Sequence, residues 1–472
     1  MQGNLLMMTF RKTSVAFFLI VLILAACTPT DSIESTRTPR PSATQDVEDA
    51  GTPTPAASQL GVEKEALRGK QVMVWHPWFG AQASLFESQL AQFNTENEWG
   101  IVVLAESKDN YSEIFLQTSV ALEESNHPQV VIALPEHALA WGDDVTDLNP
   151  YVHDPEFGMS ALDMSDFASV VWRQDEVDGK RFGAPAQRTA RFMLYNQTWA
   201  REVGFDAPPE NSSEFESQAC AAYDALTKDP DPNNDSLGGW LIDANASTAL
   251  SWMLAFDGGA QEEEGYRFLA PGNVTAFKYV KALQEKSCAW VASQELAVYD
   301  RFAARQALFV TVSLEEFPEV SRAFSAVSNS DEWVPLPFPG DEGDALVVYG
   351  SSFIVFNSDD ETQLASWLFI RWMLSAENQA AWVRSTGLFP LRSATLNLLA
   401  DYSADHPQWA EAVEHLSDGD VTPQLSSWRV VRVMLEDGFR DMFDTIRHPD
   451  LTEGQVPVIL RQMDDTAEEL SK

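Results

Sequence analysis

Short apolar runs alternate with amphipathic stretches between residues 71 and 134. Residues 72–75, 101–104 and 130–134 are continuous apolar runs of strand length. Residues 85–93 and 114–122 lie between these runs and repeat their apolar side chains at helical spacing. The pattern predicts a βαβαβ unit, which is typical of a parallel sheet with helices on both faces. Ligands bind such sheets beyond the carboxyl ends of the strands.

The rest of the chain predicts a second α/β region. Residues 192–195 and 308–312 read as buried strands, with helices and a polar loop between them. Residues 333–340, with three prolines, predict an extended connector, and residues 347–356 predict strand, turn and strand. The remainder, from residue 361 onward, predicts mainly helix. About 410 residues follow the N-terminal segments, a length typical of two or more domains.

The N-terminus indicates export. Arg11 and Lys12 precede an apolar run at 15–24 that is too short to span a bilayer comfortably. The run ends in Leu-Ala-Ala followed by Cys27, which resembles the lipobox of bacterial lipoproteins. The resemblance implies a signal peptide at 1–26, lipidation of Cys27 and anchorage outside the cytoplasmic membrane. The alternative is an ordinary secreted protein with a chance cysteine at the cleavage site.

Residues 27–60 predict a disordered leash. This segment is dominated by Thr, Pro and Ser, and Ile33 and Val47 are its large apolar residues up to Ser58. Such a composition cannot bury enough apolar surface to offset chain entropy. Its prolines keep it extended, so it can hold a folded body away from a membrane.

The net charge of the chain argues against one class of partner, and its cysteines predict a disulfide. The formal net charge is −40, and it becomes −42 once Arg11 and Lys12 leave with the signal peptide. A body this acidic repels phosphate backbones, which argues against nucleic-acid binding. In an oxidising compartment, Cys220 and Cys288 predict a disulfide, and two buried thiols are the alternative.

Several ordered motifs resemble one family. Residues 72–97 read strand, Trp and a helix ending in Phe-Asn, and residues 177–185 contain Asp-Gly-Lys followed by Gly-Ala-Pro. Residues 194–209 contain Leu-Tyr-Asn and Gly-Phe-Asp-Ala-Pro-Pro, and residues 386–390 read Thr-Gly-Leu-Phe-Pro. From residue 71 to the C-terminus the chain resembles the extracellular solute-binding proteins of family 1, receptors of bacterial sugar-importing ABC transporters.

The resemblance implies a two-lobed α/β fold of the type II periplasmic-binding-protein kind, with ligand in a cleft and a hinge between the lobes. The chain would cross near residues 183–185, 349–351 and 387–390. The N-terminal lobe would then comprise 70–184 plus 350–386, and the C-terminal lobe 185–349 plus 387–472. One departure stands at 313–317, Ser-Leu-Glu-Glu-Phe, where sugar-binding relatives often place a tryptophan.

Aromatic candidates for ligand contact are Trp78, Phe79 and Trp428. Sugar recognition uses flat apolar faces for the C–H side of a ring and planar polar groups for its hydroxyls. Trp78 and Phe79 follow a strand end in a Pro/Gly turn, and Trp428 lies in a late Pro-to-Trp segment of the kind the family shows. The alternative for each is packing within its own lobe, as expected for Trp252 and Trp367.

Polar candidates cluster at strand ends and at the crossings; they are Glu136, Arg188, Thr189, Asp257, Ser313, Tyr349 and Ser351. An inter-lobe salt bridge is the alternative for Arg188, and a solvated loop carboxylate is the alternative for Glu136. Residues 257–259 resemble a turn near the family's cleft, where the glycines serve backbone geometry. Arg384 and Arg392, near the last crossing, are expected to cap helices.

The sequence lacks several catalytic and metal-binding patterns. It contains no Walker-type phosphate loop, no His-Glu-x-x-His pattern and no Gly-x-Ser-x-Gly elbow. The alternating acids at 229–235 lack the glycine and glutamate of a calcium loop, so a surface loop is favoured. We therefore expect no cofactor and no metal.

The function predicted is a lipid-anchored, non-enzymatic and monomeric receptor that captures a small carbohydrate by lobe closure and delivers it to an ABC permease. Three alternatives stay open. The same fold could bind a non-sugar solute such as a glycerol phosphodiester, polyamine or peptide. The chain could instead be a surface glycosidase, or a sensor domain that presents ligand to a signalling partner.

Overall fold

The structure is a computed structural model that describes residues 57–263, 265–292, 297–341 and 343–472. The predicted signal peptide, Cys27 and most of the predicted leash lie outside these residues. None of the helices in the described ranges is both long enough and apolar enough to cross a bilayer. The folded body begins before residue 60, because Ser58 and Gln59 donate hydrogen bonds to Asp154 at 2.9 and 2.8 Å.

The strands alternate with helices along most of the chain. Strands in the described residues are β1 (Gln71–His76), β2 (Val102–Ser107), β3 (Val130–Ala133), β4 (Glu176–Val177), β5 (Lys180–Arg181), β6 (Ala184–Pro185), β7 (Thr189–Asn196), β8 (Trp240–Leu241), β9 (Gln261–Glu262), β10 (Gly265–Tyr266), β11 (Ala289–Trp290), β12 (Phe309–Ser313), β13 (Trp333–Leu336), β14 (Phe338–Pro339), β15 (Asp344–Ala345), β16 (Val347–Tyr349), β17 (Ser352–Val355) and β18 (Asp420–Val421). The strands predicted at 72–75, 192–195 and 308–312 are confirmed. The predicted connector at 333–340 also forms strands, because β13 pairs with β7.

The helices cover the faces of the sheets. They are α1 (Gly80–Glu96), α2 (Tyr111–Glu123), α3 (Pro135–Trp141), α4 (Asn149–Val152), α5 (Ala161–Ser165), α6 (Ser169–Arg173), α7 (Gln197–Glu202), α8 (Ser212–Thr227), α9 (Ala246–Leu254), α10 (Pro271–Glu285), α11 (Val298–Ala303), α12 (Phe317–Ala326), α13 (Asp360–Met373), α14 (Ala376–Thr386), α15 (Ser393–Asn397), α16 (Ala400–Asp405), α17 (Pro407–Glu414), α18 (Trp428–Phe443) and α19 (Val456–Leu470). Asn110 and Asn245 cap α2 and α9 by accepting backbone N–H bonds from the first turn.

The first lobe is built on a five-stranded sheet in the order β2-β1-β3-β17-β6. Strand β1 is parallel to both β2 and β3, as the βαβαβ pattern predicts. Strands β17 and β6 are antiparallel to their neighbours, so the sheet is mixed. Strand β3 is buried along its whole length, which explains why it reads as a continuous apolar run.

The second lobe is built on a seven-stranded sheet. Its strand order is β11-β8-β12-β7-β16-β18. Strand β13 pairs with the C-terminal half of β7. Helices α18 and α19 pack on this lobe's core through Val431, Leu435, Phe439 and Leu460. Cys220 of α8 and Cys288, next to β11, are joined by a disulfide within this lobe.

Two crossing segments lie side by side between the lobes. The chain passes from β6 to β7 through residues 186–188, and it returns from β16 to β17 through Gly350 and Ser351. The amides of Ala186 and Gln187 both donate to the Ser351 carbonyl, at 2.9 and 3.1 Å. Gly350 has φ +155°, and an added Cβ would lie 2.1 Å from the Gln187 carbonyl oxygen. Only glycine fits this close approach.

Packing fills each lobe with large side chains. Trp252 and Trp367 are fully buried, in agreement with their predicted packing role. Helix α14 ends at Gly387, whose left-handed φ of 72° stops the helix at the predicted third crossing. Arg384 forms a salt bridge with Asp401 at 2.9 Å, so this arginine stabilises the chain segment that follows the predicted third crossing.

Candidate functional site

A cleft of about 480 Å³ lies between the two lobes. Its walls are the chain just beyond β1 and β3, the first turns of α2, α3 and α9, the two crossing segments, and one face of α18. The cleft therefore lies at the carboxyl edge of the first sheet, where open α/β sheets bind ligands. Eight of the ten predicted ligand-contact residues line it: Trp78, Phe79, Glu136, Arg188, Thr189, Tyr349, Ser351 and Trp428.

Trp78 and Phe79 differ in how much surface they offer to the cleft. Trp78 is 3 % exposed, with its ring centroid 4.5 Å from that of Trp382. Its Nε1 donates to the side-chain oxygen of Gln187 at 3.0 Å, which ties the first lobe to the crossing. Phe79 is 78 % exposed at the edge of the cleft. Phe79 therefore presents a free aromatic face, whereas Trp78 supports the wall.

Arg188 forms the salt bridge that was its alternative reading. The side chain is fully buried, and its Nη2 lies 2.7 Å from Asp175 Oδ2. Nη1 donates to the Ser351 carbonyl at 2.6 Å. Burial lowers the pKa of Arg188, and Asp175 opposes that change. Arg188 thus fastens the two crossing segments together, and its charge is already compensated.

Thr189 positions a carboxylate in the cleft. Its hydroxyl donates to Glu315 Oε2 at 2.6 Å, and both residues line the cavity. Glu315 belongs to the segment where relatives often place a tryptophan. The walls around it raise the pKa of the Glu315 carboxyl by desolvation, and the Thr189 hydrogen bond partly offsets this.

Tyr349 and Ser351 line the hinge end of the cleft, whereas Ser313 lies behind them. Ser313 is not part of the cleft wall, and its hydroxyl is 3.0 Å from the Tyr349 phenol oxygen. Burial and the nearby Glu315 carboxylate raise the pKa of Tyr349, so its hydroxyl is neutral at physiological pH. A neutral phenol can donate to and accept from a ligand hydroxyl.

Glu136 and Trp428 belong to the mouth, where α3 faces α18. Glu136 is buried, and its Oε1 lies 3.4 Å from Arg432 Nε. Burial raises the pKa of Glu136, and Arg432 opposes that rise. One turn earlier on α18, Arg429 lies over the Phe115 ring at 4.5 Å. Trp428 lines the cleft but is only 3 % exposed, and it stacks beside Tyr266.

Asp257 lies outside the cleft. Helix α9 begins at the cleft with Asn245, and Asp257 follows the far end of that helix, about 15 Å away by helical rise. Asp257 is exposed in a left-handed turn with φ 56°. Residues 257–259 therefore form a turn that ends α9, and the predicted ligand contact at Asp257 is wrong.

Sequence reasoning missed several cleft residues: Asp109, Tyr111, Gln187, Asn245, Glu315 and Arg432. Asp109 and Tyr111 were within reach of the strand-end rule, since they follow β2 by only a few residues. Arg432 carries no local signal, because its position depends on how α18 packs across the mouth. Glu315 was noted only as a departure from the family pattern.

The charged groups that line the cleft are mostly acidic: Asp109, Glu136, Glu315 and Glu436 face Arg188 and Arg432. Arg188 is already neutralised by Asp175 and Arg432 is paired with Glu136, so both arginines that line the cavity in the described residues are paired. Across the described ranges, no group of three or more His, Cys, Asp or Glu side chains could hold a metal ion.

Comparisons with known proteins agree with this geometry. Residues 88–414 match the model of the bacterial extracellular solute-binding proteins. A comparison with curated proteins gave no match. Similar solved structures include the sugar-binding protein MalE of Xanthomonas citri, with TM-score 0.72 and 20 % identity over 85 % of this chain and 97 % of that one.

Two other similar structures have different ligands in their descriptions. The cyclic α-maltosyl-1,6-maltose binding protein of Arthrobacter globiformis has TM-score 0.69 and 17 % identity, covering 85 % of this chain and 99 % of its own. UgpB of Mycobacterium tuberculosis, described in complex with glycerophosphocholine, has TM-score 0.65 and 16 % identity, covering 85 % and 98 %. At these identities the likeness establishes the two-lobed fold. With a family match over most of its length, this chain belongs to the bacterial extracellular solute-binding proteins, the extracytoplasmic receptors of ABC importers.

Proposed function

We propose that this protein captures a small carbohydrate by closing its two lobes and delivers it to an ABC permease. The observation that carries the proposal is the composition of the cleft. Aromatic rings of Phe79, Tyr111 and Tyr349 share its walls with planar amides and carboxylates. Sugars need both kinds of group, because each ring has an apolar C–H face and a polar rim of hydroxyls.

The pairing of the arginines disfavours an anionic solute such as a glycerol phosphodiester. Arg188, Arg191 and Arg384 lie near the predicted crossings and are the cations on which an anionic solute would depend. Arg188 and Arg191 are held by Asp175 and Asp243 at 2.7 and 2.8 Å, and Arg384 is held by Asp401. An entering phosphate would meet unpaired carboxylates, which repel it.

The proposal includes no bond-breaking step. Two of the cleft carboxylates are engaged with arginines: Glu136 with Arg432, and Glu436 with Arg440 at 2.6 Å. Glycoside hydrolysis uses two free carboxyl groups on opposite sides of one bond, so Asp109 and Glu315 are the pair that a glycosidase would have to use. Turnover of chromogenic glycosides by the purified protein, abolished by E315Q, would instead establish a glycosidase.

We further propose that Cys27 is lipidated and that the receptor acts as a monomer tethered at the outer face of the membrane. Support comes from the lipobox-like sequence and from the Thr, Pro and Ser composition of residues 27–60, which predicts a leash. Metabolic labelling with a fatty acid, compared between the native chain and C27S, tests the anchor. Genes for permease subunits beside its own would favour the importer over a sensor.

The test of the main proposal is calorimetry against a panel of mono- and disaccharides, with glycerophosphocholine, spermidine and short peptides included. We expect saturable binding of at least one sugar and no heat from glycerophosphocholine. Small-angle scattering should show a smaller radius of gyration with that sugar. Binding of only the non-sugar solutes would contradict the carbohydrate assignment and leave the family unchanged.

A further inference from the structure

The Glu315 carboxylate lies at the hinge end of the cleft, between groups from both lobes. It is carried by the 3-10 turn Leu314–Glu316, directly after β12. Besides burial, its charge raises the pKa of Tyr111 from the first lobe and of Tyr349 at the hinge. Glu315, Tyr111 and Tyr349 all line the cleft, so a ligand that touches both tyrosines lies beside the Glu315 carboxylate.

Glu315 lacks a cationic partner within the described residues. Arg191, which acts on it electrostatically, is bound by Asp243 at 2.8 Å, and Arg188 is bound by Asp175. The neighbouring carboxylate of Glu316 adds repulsion. The Glu315 side chain is exposed to the cleft, so a cation that arrives with the ligand can reach it and supply the missing counter-charge.

Two hydrogen-bond donors near Glu315 are also unsatisfied. Gln187 uses its oxygen to accept from Trp78, but its Nε2 is buried and has no partner in the described chain. The hydroxyl of Ser351, a fully buried residue, makes no hydrogen bond of standard geometry with a described residue. Buried donors without acceptors cost free energy, so these two sites favour a ligand that supplies oxygen atoms.

We propose that the cleft selects a sugar bearing a positively charged amino group, and that the Glu315 carboxylate is the group that recognises the amine. This inference rests on the proposed carbohydrate function and specifies its substrate class. The ammonium pairs with Glu315, while ring and hydroxyl oxygens of the same sugar accept from Gln187 and Ser351. A linear polyamine offers only donors, and it would leave both of these groups unsatisfied.

A neutral sugar meets the same donors but leaves Glu315 without a counter-charge. The helix N-termini at the cleft do not reverse this preference, because the side-chain oxygens of Asn110 and Asn245 already accept from the first-turn amides of α2 and α9. The first turn of α3 carries Glu136 and lies at the mouth, away from Glu315. The charge difference between an amine and a hydroxyl at one sugar position should therefore decide the affinity.

Matched sugar pairs test this directly. Glucosamine with glucose and galactosamine with galactose each differ only by amine against hydroxyl at carbon 2, and the chitosan disaccharide differs from cellobiose in the same way on both rings. We expect calorimetry at about pH 7 and low salt to show at least one amino member binding about tenfold tighter than its neutral partner, the value of one well-placed ion pair. The preference should shrink as salt is raised.

The E315Q variant identifies the selecting residue. Its amide oxygen can still accept from Thr189, so the local structure is kept while the charge is lost. We expect the amino preference to fall to about twofold or less, with neutral-sugar affinity nearly unchanged. E436Q is the matched control, because Glu436 also lines the cleft but is held by Arg440. That variant should retain the preference.

The outcomes separate the two claims. If neutral sugars bind and the amine gives no gain, the amino-sugar inference is wrong and the carbohydrate function stands. If the preference survives in E315Q, Glu315 is not the selector and the inference is overturned. If no sugar binds while another solute does, the proposed function fails, and the inference fails with it.

Discussion

Two arginine–carboxylate pairs occupy opposite ends of the cleft, and they differ in enclosure. At the hinge, the side chains of Arg188 and Asp175 are 0 % and 1 % exposed and 2.7 Å apart. At the mouth, the side chains of Arg432 and Glu136 are 38 % and 7 % exposed and 3.4 Å apart. The hinge pair also holds backbone and hydroxyl partners, including the Ser351 carbonyl and Ser352 Oγ.

The difference in enclosure implies different roles. Breaking a buried pair from one side leaves an uncompensated charge that water cannot reach, so the hinge pair stays closed throughout the motion. In the mouth pair Arg432 is partly exposed while Glu136 is buried, so the guanidinium can leave for solvent once an open cleft lets water reach Glu136. Under the proposed lobe closure, we expect the hinge pair to stay intact near the rotation axis and the mouth pair to make and break as the lobes move.

The largest effect should come from R188M. Removing the guanidinium leaves Asp175 buried and alone, and we expect a loss of about 3–5 kcal/mol in the free energy of unfolding. Urea denaturation followed by tryptophan fluorescence measures it. R384A is the control, since the Arg384–Asp401 pair is exposed and should cost about 0–1 kcal/mol.

The cause of that loss can be isolated with a second carboxylate change. In R188M combined with D175N, the lone buried charge is gone, so the double variant should be more stable than R188M itself. A double variant as unstable as R188M would mean that the lost hydrogen bonds to the crossing segments dominate. An R188M loss no greater than that of R384A would contradict the hinge assignment altogether.

The second effect concerns pH, because a buried histidine lies near each end of the cleft. Burial lowers the pKa of His76, whose Nδ1 accepts from the Trp78 amide at 3.2 Å, to about 4. Burial and the nearby arginines lower the pKa of His137 to about 3. Both values lie below the unfolded-state value, so the unfolded chain binds more protons as pH falls below about 6.5.

Stability should therefore be complete above about pH 6.5 and fall as pH drops toward 4. Between pH 7 and pH 5 each histidine should cost about 2 kcal/mol. The raised pKa values of Glu136 and Glu315 act in the opposite direction and reduce the total. Urea denaturation at both pH values measures the loss. A stability that rises on acidification would show that the carboxyl groups dominate.

The H137F variant measures how much of the pH-dependent loss of stability comes from His137, the histidine at the mouth of the cleft. The His137 Nδ1 makes no hydrogen bond in the described chain, so phenylalanine should be tolerated at pH 7 beside Phe115 and Trp141. The pH-dependent loss should then fall by about half. An unchanged loss would place the titration elsewhere.

The sequence predicted the fold well where local pattern decides structure. Apolar runs identified β1, β3, β7 and β12, and Gly350 of the predicted second crossing lies in the segment that joins β16 to β17. Strand-end reasoning brought Trp78, Phe79 and Glu136 to the cleft. The antiparallel pairing of β17 with β3 and β6 could not come from periodicity, because it depends on β17 re-entering the first lobe from the second.

The charges of the site were less predictable, because pairing is a tertiary property. Arg188 is separated from Asp175 by 13 residues, and Glu136 lies nearly 300 residues from Arg432. Nothing in the local sequence distinguishes an arginine that binds ligand from one that is already neutralised. The same limit explains Asp257, whose turn resembles the family's motif although its helix carries it away from the cleft.

The smallest effect on stability, and the most direct test of the reversible mouth, should come from R432A. Because the pair can separate into water, we expect a change below about 1 kcal/mol in unfolding free energy. The closed form, however, loses the contact that joins α18 to Glu136. Without ligand, the population should shift toward the open form, with a larger radius of gyration and a sugar affinity weaker by about fivefold.

R440A is the matched control for that shift. Arg440 is on the same helix and also pairs with carboxylates, but its partners Glu436 and Asp437 belong to α18 itself. Its loss removes one charge without removing a contact between lobes, so scattering should match the native protein. If R432A and R440A give the same radius of gyration, the mouth pair is a bystander to closure. The distinction between a fixed hinge pair and a reversible mouth pair would then rest on Arg188 alone.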